Sequence, residues 1–190
     1  LEKIYFKKEK MNVIETGIEG LVIIEPKIFA DTRGYFYETY NKTAFVNAGI
    51  TDEFVQDNQS LSQKGVLRGL HFQAPPFAQG KLVRVIQGAV LDVAVDIRKN
   101  SPTYGQHRTV LLSGENKTQF YIPPGFAHGF LTLEDQTIFA YKCTGFYNKG
   151  SEGCLLWNDP NLNINWNFEH PQLSEKDLAG EAFVNFKSPF

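Results

Sequence analysis

Two short strand-like stretches carry side chains that an ordinary sheet interior does not hold. The run "VLRGLHFQ" (66–73) sets Arg68 and His71 among apolar residues, and "KLVRV" (81–85) adds Lys81 and Arg84. Burying a guanidinium or an ammonium without a partner is costly, and an anionic ligand would supply the missing charge. An imidazole in the same wall can take or give a proton near neutral pH. Together these residues point to acid–base chemistry on an anionic substrate. His71 and His128 both lie in apolar strand settings, where the competing reading is a hydrogen-bonded core histidine. His107 in "YGQHRT" and His170 in "FEHPQ" belong to loop edges and are expected to be solvated.

The elements that must position these groups are strands. Among 190 residues there are 16 Phe and 8 Tyr but one Met, and aromatic residues favour strands. Strands are expected at "GLVIIEPKIF" (20–29), "YFYETYN" (35–41), "EFVQDNQS" (53–60), "VLRGLHFQ", "KLVRVIQG" (81–88), "AVLDVAVDIR" (89–98), "HRTVLLS" (107–113), "QFYIPPG" (119–125), "HGFLTLE" (128–134) and "TIFAYKCTGFY" (137–147). Gly- and Pro-containing turns separate them. "KTAFVNAGI" (42–50) reads as one or two helical turns ending at Gly49. "LSEKDLAGEAF" (173–183) reads as a short terminal helix with Ser174 as its N-cap. The expected fold is all-β, a jelly-roll β-barrel or sandwich with a few short flanking helices.

Alternation along a strand sorts side chains by face. Phe54, Gln56, Asn58 and Ser60 share one face; Phe36 and Glu38 share another, just after Arg33; Phe139, Tyr141, Cys143 and Tyr147 share a third. Aromatic and hydrogen-bonding groups mixed in this way suit a pocket for a polar, partly aromatic ligand. A solvent-facing sheet surface would give the same parity.

Composition narrows the partners. Hydrophobic residues make up 42% and charged residues 21%, which fits one globular domain of this length. A net charge of −2 argues against a nucleic-acid partner. No apolar run approaches the ~20 residues of a membrane span, and "LEKIYFKKEK" (1–10) lacks the apolar core of a signal peptide. Met11 reads as a natural start, with residues 1–10 an extension or expression remnant and residues 11–190 a single domain. Cys143 and Cys154 are the only cysteines and are read as free thiols of a reducing compartment, so the expected location is the cytoplasm.

"IPPGFAHG" (122–129) has the Pro-x-Gly-x-x-His spacing of the second cupin motif. The first cupin motif supplies His-x-His, but the matching place here reads His71-Phe-Gln73. A catalytic metal needs three protein ligands and an open position, and the sequence does not offer them. No metal and no cofactor are expected.

Several motifs in order carry a more specific resemblance: "SLSQKGVLRGLHFQAPPFAQGKLVRVIQGAVLDVAVDIRKNSPTYG", "LSGENKTQFYIPPGFAHGF", "YKCTGFY", "WNDP" and "LSEKD". From about residue 12 to residue 180 the chain resembles the dTDP-4-dehydrorhamnose 3,5-epimerases of deoxysugar biosynthesis. The resemblance implies a dTDP-linked 4-keto-6-deoxyhexose as substrate, with cofactor-independent epimerisation at C3 and C5. It implies His71 as general base, Asp177 as its dyad partner, Tyr141 as acid on the other face and Lys81 as enolate clamp. For binding it implies Arg33, Phe36, Glu38, Gln56, Asp57, Asn58, Arg68, His128, Glu152 and Lys176, with Tyr147 stacking on thymine. It also implies a homodimer with exchanged N-terminal strands, since the 20–41 edges need covering. The alternatives are an epimerase of C3 only or C5 only, and a sugar-binding cupin without catalysis.

Strict alternation would send Arg68 and His71 to opposite faces, whereas the resemblance sends both to the ligand. A bulge or kink at Gly69 is therefore expected.

Overall fold

The computed structural model describes residues 11–190, and the expected extension of residues 1–10 lies outside them. Thirteen strands are present among the described residues: β1 (Asn12–Glu15), β2 (Val22–Glu25), β3 (Phe29–Asp31), β4 (Gly34–Phe36), β5 (Gln56–Ser62), β6 (Leu67–Gln73), β7 (Lys81–Gln87), β8 (Ala89–Asp96), β9 (His107–Ser113), β10 (Gln119–Ile122), β11 (Phe126–Thr132), β12 (Thr137–Cys143) and β13 (Glu152–Cys154). They form an antiparallel six-stranded sheet in the order β1-β2-β10-β7-β12-β5, an antiparallel five-stranded sheet in the order β13-β6-β11-β8-β9, and a separate β3–β4 hairpin. This is the cupin-like β-sandwich that the strand pattern implies.

The sheets share a core. Val83, Val85, Phe120, Ile122 and Phe139 of the larger sheet meet Val90, Ala94, Val110, Leu112, Phe126 and Phe130 of the smaller one. The smaller sheet is covered on its other face as well, where Leu67, Leu70, Val93, Val95, Ala127 and Leu131 pack against Leu155, Leu162 and Trp166. Double coverage explains why β8 and β11 read as nearly continuous apolar runs, and all seven residues of β11 are buried. Each such leucine or phenylalanine contributes roughly 1.5–3 kcal/mol by leaving water. Two charged residues of β8, Asp92 and Asp96, are nonetheless fully buried.

The expected strand over 20–29 is interrupted at Pro26, which cannot donate to a ladder. Of the expected strand over 35–41, only the end up to Phe36 pairs, and β1 and β13 appear where no strand was drawn. β13 is three residues long and contains a glycine, too short for any alternation to register. Helix α1 (Lys42–Asn47) starts on the Asn41 side chain, which accepts a bond from Ala44 N, and the chain turns at Gly49 with φ +87°. The terminal helix shrinks to one turn, α2 (Glu175–Leu178), closed by a capping box between Ser174 and Asp177. It stops because Gly180 lies against the backbone of Leu155, to which Glu181 bridges.

The β6–β11 ladder contains the expected irregularity. His71 faces His128 while Arg68 faces Phe130, so β6 spends one residue more than β11 across the same interval. Gly69 holds φ +141°, and a Cβ placed there would lie 2.4 Å from Gly129 Cα. No other residue type fits that approach. The extra residue reverses the parity of β6 and turns Arg68 and His71 to one side.

Candidate active site

The site lies between the two sheets and opens to solvent. On the smaller sheet, His71 Nε2 lies 2.6 Å from Asp177 Oδ1. Asp177 is the third residue of α2, so the helix that it helps to cap also holds it against β6. Its carboxylate accepts further bonds from Gly69 N at 3.2 Å, Ser174 N at 3.3 Å and Ser174 Oγ at 2.6 Å. Burial by itself would raise this carboxyl, but the bonds from His71 and Ser174, the His71 charge and the Gly69 N–H outweigh it and bring it down to about 2. Asp177 is thus a fixed anion behind the imidazole.

Across the cavity stand Tyr141 of β12 and Lys81 of β7, both on the larger sheet. Burial, followed by the nearby Cys143 and Glu152, raises the Tyr141 phenol despite Arg68, so it remains a proton donor at neutral pH. Burial lowers the Lys81 ammonium, against the pull of Cys143, Asp92 and Glu152. These groups, with Ser60, Arg68, His128, Phe130, Phe139, Ser174 and Lys176, line a cavity of about 300 Å³. A second cavity of about 330 Å³ shares His71, Lys81 and Tyr141 with it and extends to Gln56, Asn58, Cys143, Tyr147 and Glu152.

A second histidine–aspartate pair backs the wall. His128 Nε2 sits 3.0 Å from each oxygen of Asp92, and both residues are buried. Burial lowers His128, against the pull of Asp92, so its ring is neutral at pH 7. Arg68 donates to Ser62 Oγ at 3.3 and 3.2 Å. Glu152 binds Lys176 and accepts a bond from the Tyr147 hydroxyl at 3.2 Å, while Gln56 accepts one from Tyr147 N at 3.0 Å. Asn58 links Gln56 at 3.0 Å to Cys143 Sγ at 3.6 Å. Tyr147 is 55% exposed, leaving its ring open to a stacking partner.

Four expected site residues stand elsewhere. Asp57 points to the outer face of β5, where it pairs with Lys142 at 2.9 Å; alternation puts it there once Gln56 and Asn58 face inward. Arg33 ion-pairs with Asp31 at 2.6 Å on the β3–β4 turn, and Phe36 of the same hairpin is 66% exposed. Glu38 accepts from Asn41 at 3.0 Å and borders a larger cavity of about 740 Å³ beside α1, whose lining contains no histidine. The hairpin belongs to neither main sheet, so within one chain nothing carries these three to His71. His107 is half-buried at the start of β9 and lowered by burial and Arg108, contrary to the solvated loop position expected; His170 is exposed.

Some contributors were not singled out from the sequence as site residues. Asp92 is a charge in the middle of an apolar strand, which was a readable signal, but its partner His128 is 36 residues away. Ser60 was placed on the correct face by parity, and its buried hydroxyl has no hydrogen-bond partner. Ser174 was read only as a cap, whereas it also grips Asp177.

A cation, a phenol and a buried dyad converge from opposing sheets, an arrangement able to remove a proton from one face of a carbon acid and return one to the other. Comparison with known proteins narrows the family. The family model described as dTDP-4-dehydrorhamnose 3,5-epimerase matches residues 15–185. The chain belongs to that family. A 3,5-epimerase of this family from Shigella flexneri is 55% identical over 92% of this chain and 97% of its own length. The solved dTDP-6-deoxy-D-glucose-3,5-epimerase of Legionella pneumophila, in complex with dTDP-4-keto-L-rhamnose, is 55% identical. It covers 93% of this chain and 95% of that one at a TM-score of 0.90. A 3'-monoepimerase from Streptomyces bikiniensis, in complex with dTDP-quinovose, is 34% identical at a TM-score of 0.82, over 88% of this chain and 85% of its own. The solved structures similar to this chain therefore include enzymes named for two centres and for one. Membership makes the chain an isomerase.

Proposed function

We propose that this chain inverts C3 and C5 of dTDP-4-keto-6-deoxyglucose, giving dTDP-4-keto-L-rhamnose for dTDP-L-rhamnose biosynthesis. The observation that carries the reading is the His71–Asp177 pair on one sheet facing Tyr141 and Lys81 on the other. Its choice of two centres is supported by the 55% identity to relatives named as 3,5-epimerases, against 34% to the 3'-monoepimerase.

The C4 ketone makes the protons on both neighbouring carbons acidic. With His71 Nε2 engaged by Asp177, the other ring nitrogen, Nδ1, takes a proton from the carbon. Asp177 stabilises the imidazolium that results. Electron density moves to the ketone oxygen, where the Lys81 ammonium stabilises the enolate. Tyr141 then returns a proton to the opposite face, and the centre is inverted. Imidazolium and phenolate are reset by exchange with solvent. Arg68 and Lys176 bind the anionic end of the nucleotide, Gln56, Asn58, Glu152 and the neutral His128 its polar edges, and Tyr147 stacks on thymine.

The protein acts as a homodimer in which the β3–β4 hairpin and the segment after it reach the neighbouring copy, bringing Arg33, Phe36 and Glu38 to its pocket. The support is a hairpin with three exposed aromatics, Phe29, Tyr35 and Phe36, outside both sheets. Residues 11–190 act as one domain, and the enzyme works in the cytoplasm, where its nucleotide-sugar substrate is made. No helix among the described residues is long and apolar enough to cross a membrane.

Incubation with dTDP-4-keto-6-deoxyglucose in deuterated water, followed by proton NMR, tests the activity. Exchange at both C3 and C5 is expected. Exchange at one carbon identifies a single-centre epimerase, and none identifies a binding protein. Mixing Arg33→Ala and His71→Ala chains tests the exchange of hairpins. In a random mixture about half of the dimers are hybrids, each with one intact site, so the mixture regains about a quarter of wild-type activity, whereas a site built within one chain regains none.

A further inference from the structure

Cys154 of β13 stands directly across from His71 of β6 in antiparallel register, so the two side chains leave the same face of the sheet. Asp177 approaches the same point from α2. A His71 ring nitrogen, Cys154 Sγ and an Asp177 carboxylate oxygen all lie within 4.8 Å of one another. The Cys154 thiol makes a long bond to Leu155 O, at 3.5 Å, and burial, followed by Asp177, pushes it up to about 11, so an ion must displace a firmly held proton to gain the thiolate. Zinc bonds of roughly 2.0–2.3 Å keep tetrahedral ligands about 3.5 Å apart, so side-chain shifts of about an ångström would close the three around an ion.

The donors are one thiolate, one imidazole and one carboxylate. That set suits zinc rather than magnesium or calcium, which prefer oxygen alone. It is also distinct from the cupin arrangement that the sequence brings to mind. Of the cupin positions, His128 is tied to Asp92, and Gln73 donates to the carbonyls of Phe77 and Phe146. Glu152 pairs with the ammonium of Lys176, which would otherwise oppose a dication, while Lys81 across the cavity is lowered by burial.

We propose that His71, Cys154 and Asp177 form an inhibitory Zn²⁺ site whose fourth position faces the substrate cavity. On binding, the thiol proton passes to solvent, and the ion occupies the imidazole and carboxylate needed for proton transfer. The enzyme is then off until a chelator removes the metal. The inhibitory effect rests on the reading of His71 as the base; the metal site does not.

The full chain, titrated with Co²⁺ as a spectroscopic stand-in for zinc, tests the site. A sulfur-to-cobalt charge-transfer band with the visible bands of a tetrahedral ion is expected in the wild type and in Cys143→Ser, and its loss in Cys154→Ser. In the isotope-exchange assay, Zn²⁺ inhibits the wild type reversibly with EDTA. Cys154→Ser keeps its basal activity and needs about tenfold more zinc or above. Absence of the band in the wild type, its persistence in Cys154→Ser, or equal zinc sensitivity of the two proteins overturns the site. Zinc bound through Cys154 with full activity retained would leave the site standing and overturn both the inhibition and His71 as base.

Discussion

The molecule holds two histidine–aspartate pairs whose histidines face each other across one ladder, and they are built for different work. His71 is 26% exposed, and its single contact with Asp177 leaves the other ring nitrogen open to the cavity. His128 is 8% exposed and lies equidistant from both oxygens of an aspartate with no exposure at all. Asp177 also sits in a helix cap that positions it, whereas Asp92 comes from the middle of a strand covered on both faces. The same two residue types thus make a partly exposed pair beside the cavity and a buried one in the wall behind it.

The largest effect that would break this comparison is on turnover. His71→Ala should lower kcat by about 10³–10⁴-fold, while His128→Asn should act mainly on KM; similar losses of kcat for both would erase the distinction. Asp177→Asn should come next, lowering kcat by about 10²-fold or more while the substrate still binds. Asp92→Asn should show chiefly as a stability loss of about 1–3 kcal/mol in denaturant unfolding, because a buried acceptor pairing is broken. An Asp92→Asn enzyme of normal stability but no turnover would transfer the catalytic role to the second pair.

Acid titration of stability should separate the pairs further. His128 is held neutral, with its folded value below 6.5, so the unfolded chain takes up a proton first and stability falls as pH drops below 6.5. Asp177 is depressed from 3.8 to about 2, so its contribution is complete above pH 3.8 and is lost as pH falls toward 2. That contribution is on the order of 2 kcal/mol. His128→Asn should shrink the upper step without abolishing it, since His107 is also lowered by burial and Arg108. Asp177→Asn should likewise shrink the lower one, since Asp96 is held down to about 2 by Arg98, Ser101 and Thr103 against its burial. Chemical denaturation at intervals from pH 7 to pH 2 would read both.

Alternation alone found the inward faces of β5 and β12, and the same rule should have excluded Asp57. It could not place Arg68 beside His71, because that depends on a bulge whose only trace in the sequence is Gly69. Nor could it join His71 to Asp177, which lies 106 residues later on a helix of one turn. That pairing was visible only through resemblance, since no periodicity links a strand to a loop that folds back on it. Arg33 and Phe36 of the hairpin, and Glu38 just after it, were legible as chemistry but not as geometry, because the hairpin pairs with neither main sheet and parity therefore says nothing of where they lie relative to His71. Asp92 was legible as an anomaly, a charge in an apolar strand, without its partner.

At Gly69 and Gly129 two backbones touch with no room for a side chain on either: a Cβ on Gly129 would lie 2.9 Å from Gly69 Cα. The main-chain positions of Arg68 and His71 are therefore tied to this contact, and Gly69→Ala should disrupt both residues at once. On the facing sheet the cavity is walled instead by side chains, among them Ser60 and Phe139. One wall of the cavity is pinned by main chain, and the other is lined by side chains.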